Sequence, residues 1–201
     1  MSLDYFEAMR ARRSVYTLSR ASSVSDDRLE ELVREAVKHA PSAFNSQSGR
    51  AVLLLRAAHD AFWEATGDIL RGRVPSEAAF EKTAAKLAGF KHAHGTVLFF
   101  EDEAVVRSFQ ERFPLYKDSF SVWSGNSAGM LQYLVWTGLA AEGLGASLQH
   151  YNPLVDDWVR ERFGLPSSWR LTAEMPFGKP AAPAGEKEFL PLEDRFRVFG
   201  R

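Results

Sequence analysis

The sequence predicts a fold that mixes helices and strands in one domain, and three observations predict it. Three short apolar runs, Ala51 to Leu55, Thr96 to Phe100 and Trp169 to Met175, have the character of strands. The stretches between them repeat apolar residues at helical spacing. Glycine, proline or polar loops mark the boundaries. With 201 residues and 45% hydrophobic content the chain can bury a sizeable core. It shows no repeat and no shift of composition, so residues 1–201 read as a single domain.

Taken in order, Leu3 to Arg13 reads as a short helix ending in a basic cluster. Ser25 is placed to cap the next helix, with Asp26 and Asp27 complementing the dipole of its first turn. Leu29, Leu32, Val33, Ala36 and Val37 then share one face until Pro41 stops the helix. A polar loop, 42–49, leads into Ala51 to Leu55, a continuous apolar run that reads as a buried strand. Helical patterns over about Ala58 to Arg71 and Ser76 to His92 flank a break at Gly72 to Pro75. After the strand at Thr96 to Phe100, helices are expected over Glu103 to Phe113 and from near Phe120 to Glu142. The stripe Met130, Leu131, Leu134, Val135 and Leu139 marks the second as a buried central helix. Gly143 and Gly145 end it, and Ala146 to Gln149 is short and strand-like. Pro153 to Phe163 reads as a helix with proline at its start, and Trp169 to Met175 as the last strand. The tail opens with an extended loop, Gly178 to Glu186, and closes on a mixed apolar and charged stretch, Phe189 to Phe199. It is equally suited to wrapping a neighbouring subunit and to folding back on its own chain.

Composition removes several functions. A formal net charge of −1 argues against a nucleic-acid partner. The absence of cysteine excludes disulfides, iron–sulfur clusters, thiolate zinc sites and a cysteine nucleophile, and fits a cytoplasmic protein. No apolar run is long enough for a membrane span, and the opening Met1-Ser2-Leu3-Asp4-Tyr5-Phe6 does not resemble a signal peptide. His92 and His94 lie two apart, without a helical pairing or a nearby carboxylate motif, so no metal site is expected. No nucleophile elbow and no phosphate-binding P-loop is present. Fifteen Phe and five Trp fit a large core, and equally a dimer interface or a flat-ligand pocket.

Four places stand out. Arg10, Arg12, Arg13 and Ser14 sit at a helix end, where forked guanidinium groups and a hydroxyl can grip a phosphate; the plain alternative is a solvated basic surface. The loop Ala40-Pro41-Ser42-Ala43-Phe44-Asn45-Ser46-Gln47 offers hydroxyl and amide groups suited to the edge of a heteroaromatic ring, although turns favour the same residues. Gly143 to Asn152 follows a helix instead of a strand, so it is not a dinucleotide fingerprint, but its small residues allow backbone to approach a flat ligand closely. Lys187, with Arg195 and Arg197 beyond it, is the fourth.

At these same places, and in the same order, the chain resembles the nitroreductase family. Arg12-Arg13-Ser14-Val15-Tyr16 is similar to its N-terminal phosphate motif, and residues 40–47 to its "APSxxNSQP" loop. His150-Tyr151-Asn152-Pro153, Pro166-Ser167-Ser168-Trp169, Met175-Pro176-Phe177-Gly178-Lys179-Pro180 and Lys187-Glu188-Phe189-Leu190-Pro191-Leu192-Glu193-Asp194-Arg195 bring it nearest to the fatty-acid-repression-mutant and copper-induced subgroup. The resemblance covers about residues 5–199.

The resemblance implies an α+β fold with a central mixed sheet surrounded by helices, in an intertwined homodimer with one FMN at each of two interface sites. Carried over by motif, Arg12 and Ser14 meet the FMN phosphate with help from Arg13, and Lys187 is the cationic partner from the tail. Ser42 and Ala43 approach the flavin from the other protomer, and Asn45 and Gln47 line its ring or ribityl side. Backbone groups near Gln149 and His150 reach the N5 region. The implied activity is ping-pong: NAD(P)H reduces the flavin by hydride transfer to N5, and a nitroaromatic or quinone-like acceptor is then reduced, with no catalytic side chain of the protein. The rival reading is a flavin-binding regulatory or stress-response protein with little turnover. Two positions depart from the pattern. Tyr16 stands where many members carry lysine, and a phenol cannot supply a fixed positive charge at neutral pH. Ser48-Gly49 replaces the usual Pro-Trp, so that loop is expected to be looser.

Overall fold

The computed structural model describes residues 3–201; Met1 and Ser2, the first two residues of the opening segment read above for a targeting signal, lie outside the described residues. Helix α1 (Tyr5–Ala11) starts at Asp4, whose carboxylate accepts the Glu7 N–H at 2.8 Å while the Glu7 side chain accepts the Asp4 N–H at 3.0 Å. This reciprocal cap satisfies two donors that a helix start otherwise leaves orphaned. Next come β1 (Leu18–Ser19) and α2 (Asp26–His39), the latter capped by Ser25 as expected. β2 (Gly49–Leu55), α3 (Arg56–Arg71), α4 (Glu77–Lys91) and β3 (Gly95–Asp102) follow, and then α5 (Glu103–Arg112) and α6 (Lys117–Ala141). The chain closes with β4 (Gly145–Ala146), α7 (Asp156–Phe163) and β5 (Trp169–Pro180).

The sheet order is β1-β5-β3-β2, with β4 also on β5. All these ladders are antiparallel; a parallel bridge between Ser14 and Ala146 makes the sheet mixed. β3 is buried along its whole length because helices cover both faces of the sheet. Its side chains alternate accordingly. Val97 and Phe99 join Leu29, Val33, Leu131, Val135 and Leu139 of α2 and α6. Leu98 and Phe100 join Phe62, Trp63, Phe80, Phe90 and Val159 of α3, α4 and α7 on the other side. The result is a three-layer α+β sandwich with a core on each face of one sheet.

Several expectations need correction. The run Ala51 to Leu55 is not a fully buried strand: it lies in β2 at the edge of the sheet, and only Leu54 of β2 is fully buried. The stripe on α6 is split. Leu131, Val135 and Leu139 are core, but Met130 and Leu134 are 39% and 36% exposed. The last helix begins at Asp156, after a turn from Asn152 to Val155, and β5 runs on to Pro180. Ser48-Gly49 is not loose. Ser48 is fully buried and its carbonyl accepts the Asp102 N–H at 2.9 Å; a Cβ at Gly49 would stand 3.2 Å from Leu131. Among the described residues no helix is long and apolar enough to cross a membrane.

One buried polar cluster ties α3 to β3. The Trp63 indole N–H donates to Thr96 Oγ1 at 2.9 Å, and His59 Nδ1 lies 2.9 Å from the same oxygen. His59 Nε2 faces the Lys91 carbonyl at 3.1 Å. A carbonyl can only accept, so Nε2 carries the proton, Nδ1 accepts, and the Thr96 hydroxyl donates to it. Every partner in the triad is satisfied with a neutral imidazole. Burial agrees, pushing the His59 pKa down to about 4.

Candidate functional site

The N-terminal basic motif is positioned by the end of α1. Arg12 is the C-terminal cap in extended backbone, and its guanidinium lies 4.6 Å above the Trp136 ring of α6. Stacking fixes the plane of the guanidinium while its edge donors stay available. Ser14 is exposed and bridges to Ala146, and the Val15 N–H donates to the Ala146 carbonyl at 2.9 Å. That approach depends on two glycines. Gly143 turns the chain at φ +76°, and a Cβ at Gly145 would stand 2.9 Å from Val15 Cβ. The close approach foreseen at this glycine-rich end is therefore partly between chain and chain.

The root of the tail joins the same cluster. Ala181 N–H donates to the Thr17 carbonyl at 2.9 Å, and Arg13 Nη2 donates to the Gly185 carbonyl at 2.6 Å. Arg13 is thus tied to the tail while Arg12 and Ser14 present donors outward. Lys187 follows two residues later along the tail, with its Nζ 5.0 Å from the centre of the Phe189 ring. Arg10 and Tyr16 are exposed beside this cluster, whereas Arg195 and Arg197 lie farther along the exposed tail. Beyond Gly185 the tail does not fold back on its own body. Phe189, Leu190, Leu192, Phe196, Val198 and Phe199 are all exposed, Phe199 by 90%.

The Gln149–His150 stretch borders the cluster through the Gly145–Ala146 strand. Gln149 is buried, its side chain donates to Ser147 Oγ at 3.1 Å, and its N–H and C=O are both engaged by Glu174 at 2.7 and 3.0 Å. This narrows the backbone role expected near Gln149 to His150, which is exposed.

The remaining group, Ser42 to Gln47, is not brought to the cluster within one chain. Ser42 Oγ accepts the Gln47 N–H at 2.9 Å, and residues 43–45 form a short 3₁₀ turn. Phe44, Asn45 and Gln47 all have positive φ, between 50° and 54°. Three non-glycine residues in that region cost about 1–3 kcal/mol each, so the loop is a strained segment of the chain. Ala43 and Phe44 of the loop line an open cavity together with Trp123, Asn126, Ser127 and Met130 of α6, and the Phe44 and Trp123 rings stand 6.1 Å apart. Trp123, Asn126, Ser127 and Met130 stand about 9–20 Å from Trp136 along the helix axis and roughly 80–180° around it. The loop and the Arg12 cluster therefore meet α6 at different levels and on different faces.

Two features escaped sequence reading. Phe44 joins an aromatic cluster with Phe113, Tyr116, Phe120 and Trp123, ring centres 4.8 to 6.1 Å from it. The spacing of 116, 120 and 123 along one helical face was the available signal. The other is Glu174, a fully buried acid in β5, which no periodicity announces.

Fold and cluster together define an α+β protein whose first helix, glycine turn and tail root converge on one cationic, hydroxyl-bearing corner suited to an anionic ligand. The comparisons give that class a family. The profile of the nitroreductase family matches residues 9–179, and the chain belongs to that family, whose members are oxidoreductases. The nitroreductase FRM2 of Saccharomyces cerevisiae is 31% identical over 189 residues, covering 93% of each chain. The nitroreductase CinD of Lactococcus lactis, solved in complex with nicotinic acid, superimposes with a TM-score of 0.90 at 45% identity, over 98% of this chain and 100% of that one. CinD has also been solved with chloramphenicol and with 4-nitrophenol. A nitroreductase with bound FMN from Desulfitobacterium hafniense DCB-2 shares the fold, with a TM-score of 0.69 at 16% identity and full coverage of both chains.

Proposed function

We propose that this chain is an FMN-dependent oxidoreductase that takes electrons from NAD(P)H and passes them to nitroaromatic or quinone-like acceptors, working as a cytoplasmic homodimer. The observation that carries the reading is the convergence of Arg12, Ser14, the 143–150 segment and the tail that bears Lys187 on one corner of the molecule. The donor set suits a phosphate dianion: a stacked guanidinium and a free hydroxyl, with a lysine on the tail two residues beyond the one Arg13 holds. Bound FMN would supply the hydride chemistry. Arg12, Ser14 and Lys187 would hold the phosphate and the His150 backbone would meet the ring, with NAD(P)H and acceptor using the same space in turn. Tyr16 adds a neutral hydroxyl, not a charge, beside this site.

Two features support the dimer. The Ser42–Gln47 loop and the Arg12 cluster meet α6 at different levels and on different faces, and a second copy would let Ser42, Ala43, Asn45 and Gln47 face the same ligand. Met130 and Leu134 on α6 and six large apolar side chains on the tail are exposed in one chain. Burying such side chains contributes about 1.5–3 kcal/mol each. Deleting residues 188–201 is accordingly expected to convert a dimer into a monomer in sedimentation analysis. A truncated protein that stays dimeric would remove the tail from the interface.

The activity is tested by steady-state oxidation of NADH and of NADPH by FMN-loaded protein, with a panel of nitro compounds and quinones as acceptors. Turnover above that of free FMN supports the enzyme. Tight FMN binding with no turnover on any acceptor would favour a flavin-binding regulatory or stress-response protein instead.

A further inference from the structure

Glu174 occupies the middle of β5, fully buried, between Ala173 and Met175, in a position where the neighbouring strand supplies Leu98. A buried carboxyl is costly, and an aliphatic residue would pack there at no such cost. What the acid does is hold chain. Its main chain exchanges both hydrogen bonds with Gln149, and its side-chain Oε2 accepts the Tyr151 N–H at 2.9 Å. The Asn152 backbone also bonds to the carboxyl. One residue thus grips the chain on both sides of the exposed His150. The Tyr151 ring is held in turn, edge-on to Trp63 at 5.7 Å. Glu174 Oε1, Asn152 Oδ1, Asp156 Oδ1 and Arg160 Nε, all buried, have no hydrogen-bond partner among the described residues, so the layer beneath the loop is polar.

We propose that Glu174 is a positioning residue of the flavin site: its buried carboxyl fixes the Gln149–Asn152 backbone so that His150 presents its main chain to the cofactor, and ionisation of the carboxyl loosens that grip. The inference rests on the flavin reading above. The groups facing the carboxyl are Tyr151 from the loop and, from α7, Asp156 with Arg160 beyond it; β3 places Leu98 opposite it, with Thr96 and Phe100 on the same face, α3 brings His59 to Thr96 there, and Arg170 lies toward the start of the same strand. Burial pushes Glu174 up to about 8, raises Asp156, and pushes Tyr151 up to about 12. At neutral pH Glu174 therefore keeps its proton and its carbonyl oxygen accepts the Tyr151 N–H. Above about pH 8 it becomes an anion close to the Asp156 carboxylate. Two like charges in a poorly solvated space repel, and access of water to them requires the 149–152 segment to move.

The test is an FMN titration of wild-type protein, Glu174→Gln and Glu174→Leu from about pH 6.5 to about pH 9.5. Amide hydrogen exchange of residues 149–152 is followed in the same proteins without FMN. The wild type is expected to lose about three- to tenfold in affinity as the pH rises through the carboxyl's titration, with lower protection of the Tyr151 amide relative to its intrinsic exchange rate at each pH; tenfold corresponds to a displacement of that titration by about one pH unit on binding. Glutamine accepts the same N–H and cannot ionise, so its affinity relative to wild type should rise with pH and its protection against exchange should stay constant. Leucine should bind FMN weakly and exchange fast at every pH. If the leucine variant fails to fold, the glutamine comparison decides alone. Wild-type and Glu174→Gln curves that superimpose in both measurements overturn the role given to Glu174 and leave the flavin reading standing. Wild-type protein that binds no FMN at any pH overturns the flavin reading itself, and the wild-type trace alone reveals it.

Discussion

Replacing Arg12 and Ser14 together by alanine is expected to leave a folded protein that is colourless after purification, with its FMN dissociation constant raised on the order of a thousandfold. Each hydrogen bond to a charged group contributes about 1.5–3 kcal/mol, so losing one at each residue amounts to about 3–6 kcal/mol, or roughly 10²–10⁴ in affinity. The cost to folding is much smaller. Arg12 forfeits a stacking contact with Trp136 of about 0.5–1 kcal/mol, and the main-chain bond from Val15 to Ala146 remains. Thermal unfolding without FMN therefore separates the two effects. A double variant that keeps its full complement of FMN would place the phosphate elsewhere.

Thr96→Val is expected to be the most damaging single substitution of comparable size in the sheet, lowering stability by about 2–5 kcal/mol in urea unfolding. Valine fills the same volume but removes the oxygen that joins Trp63 and His59. The indole N–H and the imidazole Nδ1 are then both buried without a partner. The triad also carries a pH signature. The unfolded chain protonates its histidine as the pH falls through about 6.5, whereas His59 in the fold resists until about 4. Its contribution is therefore complete above about pH 6.5 and declines by up to roughly 3 kcal/mol as the pH falls to about 4. Glu174 acts with the opposite sign. Its raised value makes its contribution complete below about 4.5 and lost as the pH rises to about 8. Between about pH 6.5 and 8 only Glu174 of this pair changes stability, so Glu174→Gln should flatten the wild-type decline there. An equally steep decline in the glutamine variant would assign it to another group.

Element types were largely legible because each rests on local chemistry. Ser25 ahead of two aspartates announces a helix start whatever packs against it. The β-branched and aromatic run at Thr96 to Phe100 is a strand in any setting where both faces can be covered. The motifs of the site were legible for a related reason, since hydroxyl, amide and guanidinium groups in a fixed order are a chemical text. Burial was less legible. Ala51 to Leu55 and Thr96 to Phe100 look alike as apolar runs, yet one lies at the sheet edge and the other at its centre. Strand order depends on contacts between residues far apart in the chain. The split of the α6 stripe has the same origin: Leu134 and Val135 are equally apolar, and only the position of α2 and the sheet decides which is covered.

By itself, the sequence determined the kinds of elements, the absence of cysteine chemistry and the residues able to grip a phosphate. The tertiary structure alone decided that Arg12, Ser14, Ala146 and the tail root share one corner, that the Ser42–Gln47 loop meets another face of α6, and that an acid lies under the His150 loop. The physical reason is range. Capping, turn chemistry and hydrogen-bonding capacity belong to neighbours along the chain, whereas burial, convergence and a displaced carboxyl titration belong to neighbours in space.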